Sequence, residues 1–180
     1  MPSFSSCFPS SSSKTNNPIQ DPLISSTTGG SKVVKGCIFC NSSKENGFNI
    51  VYEDNQLIAF HDRKPRAKIH LLIIPREHVV SSVKQLTKEH LPLLDSMRSL
   101  ATSLVPDRPP PKMGFHIPPF SSVPHLHLHV FSGPHTLIGR LKYPIARRGR
   151  DIGKGWSWFV TIDQVEKILQ DGGKVGLGTG

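Results

Sequence analysis

The 180-residue chain has no apolar run close to the roughly 18 residues that a membrane-spanning helix needs. We therefore expect a soluble protein that uses no membrane as a partner. The mean hydropathy of -0.24 agrees with this expectation, because a membrane-embedded chain would be markedly more apolar.

Cysteine is scarce, with Cys7, Cys37 and Cys40 the whole complement. An odd count with one close pair argues against a secreted scaffold held by disulfides. We therefore expect a reducing compartment, cytoplasmic or nuclear. An organelle transit peptide stays open, because the N-terminal residues are rich in serine and poor in acids.

Acidic residues are also few, 13 against 22 lysines and arginines, which gives a net charge of +9. This surplus favours anionic partners, and by charge alone nucleotides, nucleic acids and anionic membranes all qualify. A basic stretch over residues 140–154 holds six of the cations. It leaves nucleic acid open as a partner that we do not favour, and a solvated loop is an equal alternative.

Composition divides the chain into three parts. Residues 1–34 are rich in Ser, Thr, Asn, Gly and Pro and cannot bury enough apolar surface to fold, so a disordered tail is predicted. Residues 35–171 carry periodic apolar patterns and form the predicted domain. Residues 172–180 are Gly-rich, which predicts a flexible end.

Apolar spacing predicts an α+β domain with a mostly antiparallel sheet. Strands are predicted at 50–52, 57–60, 69–74, 112–117, 125–131 and 156–160, with the first two forming a hairpin. Leu91, Leu94, Met97 and Ala101 recur at helical spacing and predict one main helix. Thr161 and Gln164 form a capping-box pattern that begins a short C-terminal helix.

The pattern His-x-His-x-His over residues 125–129 is the strongest chemical signal. Side chains alternate across a strand, so His125, His127 and His129 should share one face while the leucines between them face a core. Such a row could supply a neutral nucleophile beside protonated donors to a phosphate. A surface cluster or a structural metal site remains the alternative.

This pattern resembles the signature of the histidine triad superfamily. Residues 37–40, 60–62 and 70–78 are similar to the N-terminal half of that family in order and spacing. The stretch 113–120 resembles its adenosine 5'-monophosphoramidase branch. The resemblance implies a homodimer and a purine nucleotide or AMP conjugate as substrate.

The resemblance also implies a role for each matching residue. His127 would be the nucleophile, held by the carbonyl of His125. His129 and Ser122 would contact the phosphate, with His70 behind the triad. Asp62 would accept the ribose hydroxyls, with a turn residue as its alternative. The expected base pocket comprises Ile38, Phe39 and Phe60.

The pair Cys37 and Cys40 predicts a metal hook only weakly by itself. By resemblance, zinc would be bound by these two thiolates together with His78 and His125, a set suited to a closed structural site. Two reduced cysteines without metal are the alternative. The resemblance implies no cofactor for the chemistry.

The leading hypothesis is a nucleotide hydrolase that cleaves AMP–amine conjugates to AMP through a nucleotidyl-histidine. A second hypothesis is the removal of AMP from nucleic-acid ends, as in the aprataxin branch, which the basic stretch fits. A third is a nucleotide-binding signalling partner without catalysis, because an intact triad does not exclude it.

Overall fold

The computed structural model describes residues 33–106, 109–144 and 156–178. The predicted tail therefore lies outside the described residues except for its last two positions. The basic stretch is described only as far as residue 144. Among the described residues, no helix has the length and apolarity to cross a membrane.

Six strands form one sheet, and each neighbouring pair among them is antiparallel. The strands are β1 Ile50–Glu53, β2 Leu57–His61, β3 Ala67–Pro75, β4 Lys112–His116, β5 Leu128–His135 and β6 Phe159–Thr161. Their spatial order is β1-β2-β3-β5-β4-β6. The predicted α+β class and the mostly antiparallel sheet are confirmed.

Three helices accompany the sheet: α1 Leu91–Leu104, α2 Leu137–Lys142 and α3 Ile162–Gln170. The main helix α1 and the C-terminal helix α3 were predicted. Thr161 begins α3 as the capping box requires, since its side chain accepts the amide N–H of Gln164 and the Gln164 side chain accepts that of Thr161. The short helix α2 was not predicted.

Alternation along the strands divides the apolar side chains between the two faces of the sheet. Leu71 and Ile73 of β3 join Leu128 and Val130 of β5 in the main core, which also includes α1 and α3. Leu72 and Ile74 face the other way, into a smaller cluster with Phe39 and Phe60. The second face of the sheet carries the histidines.

The C-terminal segment packs against the domain as far as it is described. Val175 is 2% exposed in the main core, and Leu177 packs against the same core. The carbonyl of Leu177 accepts the amide N–H of Ser157, and the amides of Gly172 and Gly173 donate to carbonyls of α3. The flexibility expected of residues 172–180 stays a prediction from their composition.

Candidate active site

The strand β5 begins later than predicted, at Leu128 rather than His125. The ladder with β3 ends at the pair Ile73–Leu128. Before that pair, the Leu126 amide N–H donates to the carbonyl of Val80, and the His125 ring donates from Nε2 to the carbonyl of Pro75. These two bonds replace the ladder, so His125 and His127 approach the site from a loop.

The predicted alternation is nevertheless confirmed. Leu126, Leu128 and Val130 lie in the main core, whereas His127 and His129 line a cavity on the other face. The cavity has a volume of about 550 Å³. It brings together most of the residues predicted to bind substrate: Ile38, Phe39, Phe60, Asp62, Ser122, His127 and His129.

The ring of His127 is oriented by its own backbone neighbour. Nδ1–H donates to the carbonyl of His125 over 2.6 Å, so Nε2 carries the free lone pair. His127 is only 8% exposed, and burial lowers its pKa below the usual 6.5. At neutral pH the ring is therefore uncharged, with a lone pair available at Nε2.

A hydrogen-bond chain determines which nitrogen of His129 carries the proton. The amide N–H of Arg66 donates to His70 Nδ1 over 3.3 Å, which leaves the proton on His70 Nε2. That nitrogen donates to His129 Nδ1 over 3.0 Å. The remaining His129 Nε2 is therefore protonated, and it is buried without a partner among the described residues. It is the atom left to bind a ligand.

The expectation of protonated donors beside the nucleophile is corrected. Burial lowers the pKa of His129 well below 6.5 and that of His70 to about 3. His129 donates through a neutral ring because His70 selects its tautomer. The predicted position of His70 behind the triad agrees with the structure, since it does not line the cavity.

One end of the cavity is aromatic. The ring centroid of Phe39 lies 5.4 Å from that of Phe60 and 5.5 Å from that of His127. Phe48 was missed, and its ring is 4.9 Å from Phe60 in the same wall. Ile38 is 58% exposed at the rim. This end can hold a planar base against apolar surface.

Two roles were predicted for Asp62, an acceptor for the ribose hydroxyls and a turn residue, and its position is compatible with either. Its Oδ1 accepts the amide N–H of Lys64 over 2.7 Å, which is the bond of a turn residue. Its Oδ2 lies 3.6 Å from His70 Nε2, and the residue lines the cavity. Ser122 is exposed on the cavity wall.

The other end of the cavity was not predicted. His116 ends β4 and is buried against His129, with ring centroids 4.9 Å apart. Tyr143 stacks on His116 at 4.6 Å, and Lys142 lines the same end. Only the pairing of β4 with β5 and the position of α2 bring these residues to the triad.

The four predicted metal ligands converge at a second site. Cys37 Sγ lies 3.4 Å and Cys40 Sγ 3.6 Å from His125 Nδ1, and Cys40 Sγ lies 3.4 Å from His78 Nδ1. The four ligand atoms lie within 4.8 Å of one another. A tetrahedral ion with these ligands separates them by about 3.5 Å, so the residues fit a metal.

The second nitrogen of each ligand histidine also has a partner. His125 Nε2 donates to the carbonyl of Pro75 over 2.9 Å, and His78 Nε2 lies 3.1 Å from Ser81 Oγ. Such bonds keep Nδ1 unprotonated and aimed at a metal. A Cys/His cluster suited to a metal ion is therefore present, and it leaves Nε2 of His127 outside its ligand set.

An antiparallel sheet with a central histidine row and a free Nε2 in a cavity defines a histidine triad protein. A family model described as "Scavenger mRNA decapping enzyme C-term binding" matches residues 36–142. The chain belongs to the histidine triad superfamily.

Relatives of stated activity indicate which members of the superfamily the chain is similar to in sequence. The adenosine 5'-monophosphoramidase HINT3 of Xenopus tropicalis is 36% identical over 74% of this chain and 87% of its own. The Arabidopsis thaliana protein HINT4, a bifunctional adenosine 5'-phosphosulfate phosphorylase/adenylylsulfatase, is 38% identical over 58% of this chain and 75% of its own. A HIT family hydrolase from Clostridium thermocellum superposes with a TM-score of 0.51 at 29% identity. The match covers 56% of this chain and 93% of the hydrolase.

Proposed function

We propose that this protein hydrolyses AMP–amine phosphoramidates to AMP and free amine. The observation that carries the proposal is the uncharged His127 ring in the cavity, with Nδ1–H bonded to the His125 carbonyl and Nε2 free. The adenosine 5'-monophosphoramidase activity for which the Xenopus relative is named supports the same reaction, and the match spans 74% of this chain and 87% of the relative.

The substrate would lie along the cavity with its base at the aromatic end. Phe39, Phe60 and Ile38 offer apolar surface to a purine. The Asp62 carboxylate is placed to accept the two ribose hydroxyls. Ser122 and the Nε2–H of His129 would then meet the oxygens of the α-phosphate, where charge develops in the transition state.

The reaction divides into two displacements at phosphorus. First, His127 Nε2 forms a bond to the α-phosphorus as the P–N bond breaks, and the departing amine takes a proton from water. The enzyme then carries AMP on His127. Second, water attacks the same phosphorus and gives a proton to the hydroxide left by the first step, the bond to Nε2 breaks, and AMP leaves with the neutral ring restored. Neither step requires a cofactor.

The Cys/His cluster would hold a structural zinc ion. Thiolates of Cys37 and Cys40 and neutral rings of His78 and His125 are the ligand set of closed zinc sites. The metal would tie the turn at Ile38–Asn41, which carries two residues of the base pocket, to the loop that presents His127. The metal would therefore position the base pocket and His127 and would take no part in the reaction.

The other hypotheses have less support. Removal of AMP from nucleic-acid ends was based on the basic stretch, most of which lies outside the described residues. Binding without catalysis gives no reason for a neutral His127 with a free Nε2. The homodimer stays a prediction from the family resemblance, and sedimentation of the purified chain would test it.

The test is turnover of an AMP-amidate by the wild type and by H127A. We expect the variant to lose about six orders of magnitude in kcat, the scale seen when a catalytic nucleophile is removed. H90A removes a histidine that does not line the cavity and should keep its activity. Turnover by H127A near the wild-type rate would refute the proposal.

A further inference from the structure

The cavity changes character from one end to the other. Ring contacts lead from Phe39 to His127 at 5.5 Å, from His127 to His129 at 5.1 Å, and from His129 to His116 at 4.9 Å. The apolar end and the histidines are thus followed by a polar end that has no role in the reaction above. Lys142 is the cation at that end.

The backbone of Lys142 is fixed above this end by two side chains. Its carbonyl accepts Nε2–H of His116 over 3.2 Å and Nε1–H of Trp158 over 3.0 Å. Its ammonium nitrogen lies 5.9 Å from the ring centroid of Tyr143, which is itself in the cavity wall. The side chain is exposed, so the charge sits at the open mouth.

The leaving group must point toward that mouth. Displacement at phosphorus places the attacking and leaving atoms in line on opposite sides. His127 is a buried residue of the cavity lining, at 8% exposed, whereas Lys142 and Ser122 of the same lining are exposed. The leaving amine therefore extends outward, past the exposed residues at the rim.

We propose that Lys142 binds an anionic group on the leaving amine, so that amines bearing a carboxylate are preferred over neutral ones. This inference rests on the proposed function. Among the described residues that line the cavity, Asp62 is the one carboxylate; it lies 3.6 Å from His70 Nε2, and its charge acts on His116 and Tyr143. Among the described residues Lys142 forms no ion pair, so its ammonium is available to an anion on the substrate.

A matched substrate pair tests the proposal. The AMP-amidates of tryptamine and of tryptophan share one P–N bond type and one ring system and differ by a carboxylate. The measured quantity is the ratio of kcat/KM for the tryptophan substrate to that for the tryptamine substrate. We expect K142Q to lower this ratio about fivefold, near the upper end for an ion pair open to solvent. Added salt should lower the wild-type ratio as well.

Two variants complete the design. R140Q removes the same charge from the same helix outside the cavity and should keep the wild-type ratio. R63Q removes the other cation that lines the cavity. A K142Q ratio within twofold of wild type, or a fall in R63Q and not in K142Q, would overturn the proposal. If the wild type cleaves neither amidate, the proposed function fails, and the same ratio taken from Kd values by calorimetry still decides the role of Lys142.

Discussion

The chemistry at the residue scale depends on which nitrogen of each ring holds a proton. The His125 carbonyl sets this for His127, and the amide N–H of Arg66 sets it for His129 through His70. Both are fixed by backbone groups, which do not titrate. A nucleophile with a free lone pair and a donor with a free N–H therefore lie side by side without any charged ring.

His70 provides a direct test of this arrangement, as a positioning residue. H70L removes the donor to His129 Nδ1, which should lower kcat by about tenfold or more, because the wrong tautomer then becomes available. H70Q can place an amide N–H where Nε2 was and should recover part of the loss.

If His70 has only a structural role, its loss should lower thermal stability and leave the tautomer of His129 unchanged. In ¹⁵N spectra of the wild type and H70Q we expect His129 to be protonated on Nε2. In H70L we expect a mixture of the Nδ1-protonated and Nε2-protonated tautomers. If the His129 tautomer is unchanged in H70L and activity falls in proportion to thermal stability, the proposed hydrogen-bond chain from Arg66 through His70 to His129 would be wrong.

Sequence reasoning at this scale succeeded where the residues follow one another along the chain. His127, His129 and Asp62 were predicted from local pattern and resemblance, and all three line the cavity, whereas His125 lies in the Cys/His cluster. Phe48, His116 and Lys142 were missed, because they reach the cavity only through strand order and the position of α2. No local pattern encodes that neighbourhood.

The short turn at Ile38–Asn41 shows how an element without an apolar stripe can be positioned at the site. Cys37 before it and Cys40 within it lie against His125 and His78, and Phe39 between them enters the base pocket. The four consecutive residues 37–40 thus connect the Cys/His cluster to the cavity. Loss of a metal there would release the base pocket first.

Metal analysis of the purified chain tests this element. We expect about one zinc per wild-type chain and almost none in C40S, because one thiolate is lost from a four-ligand site. C7S removes the cysteine outside the cluster and should retain the metal. Zinc near zero in all three proteins would remove the structural zinc proposal.

Strands and helices were predictable from sequence where their regularly spaced apolar residues form a face that packs against the core. The strands β2, β3 and β4 and the helices α1 and α3 all have this pattern. The helix α2 was missed because Leu137, Ile138 and Leu141 are exposed and give no buried stripe. Its start depends on Thr136, whose side chain accepts the amide N–H of Gly139 over 3.0 Å.

The whole molecule buries an unusual number of neutral histidines, namely His70, His116, His125, His127 and His129. Burial lowers the pKa of His70 to about 3 and that of His116 to about 4. An unfolded histidine titrates near 6.5, so between these values the unfolded chain binds more protons than the folded one. The free energy of unfolding should therefore fall as the pH falls below about 6.5.

Urea unfolding at pH 7.0 and pH 5.0 measures this effect. Each buried ring contributes a loss of about 1.4 kcal/mol per pH unit in that window. H116F keeps a planar ring without a titrating group, so its free energy of unfolding should fall less steeply than that of the wild type by about this amount. Equal slopes for the two proteins would show that His116 is not held neutral.

The central claim is that His127 forms a bond to phosphorus, and intact mass spectrometry tests it most directly. The wild type is mixed briefly with an AMP-amidate and quenched with denaturant without acid, since a phosphorus–nitrogen bond to histidine is acid-labile. We predict one adenylyl group per chain, located on the peptide that contains His127 and absent from H127N. Turnover without an adduct on that peptide, or the same adduct in H127N, would contradict the account.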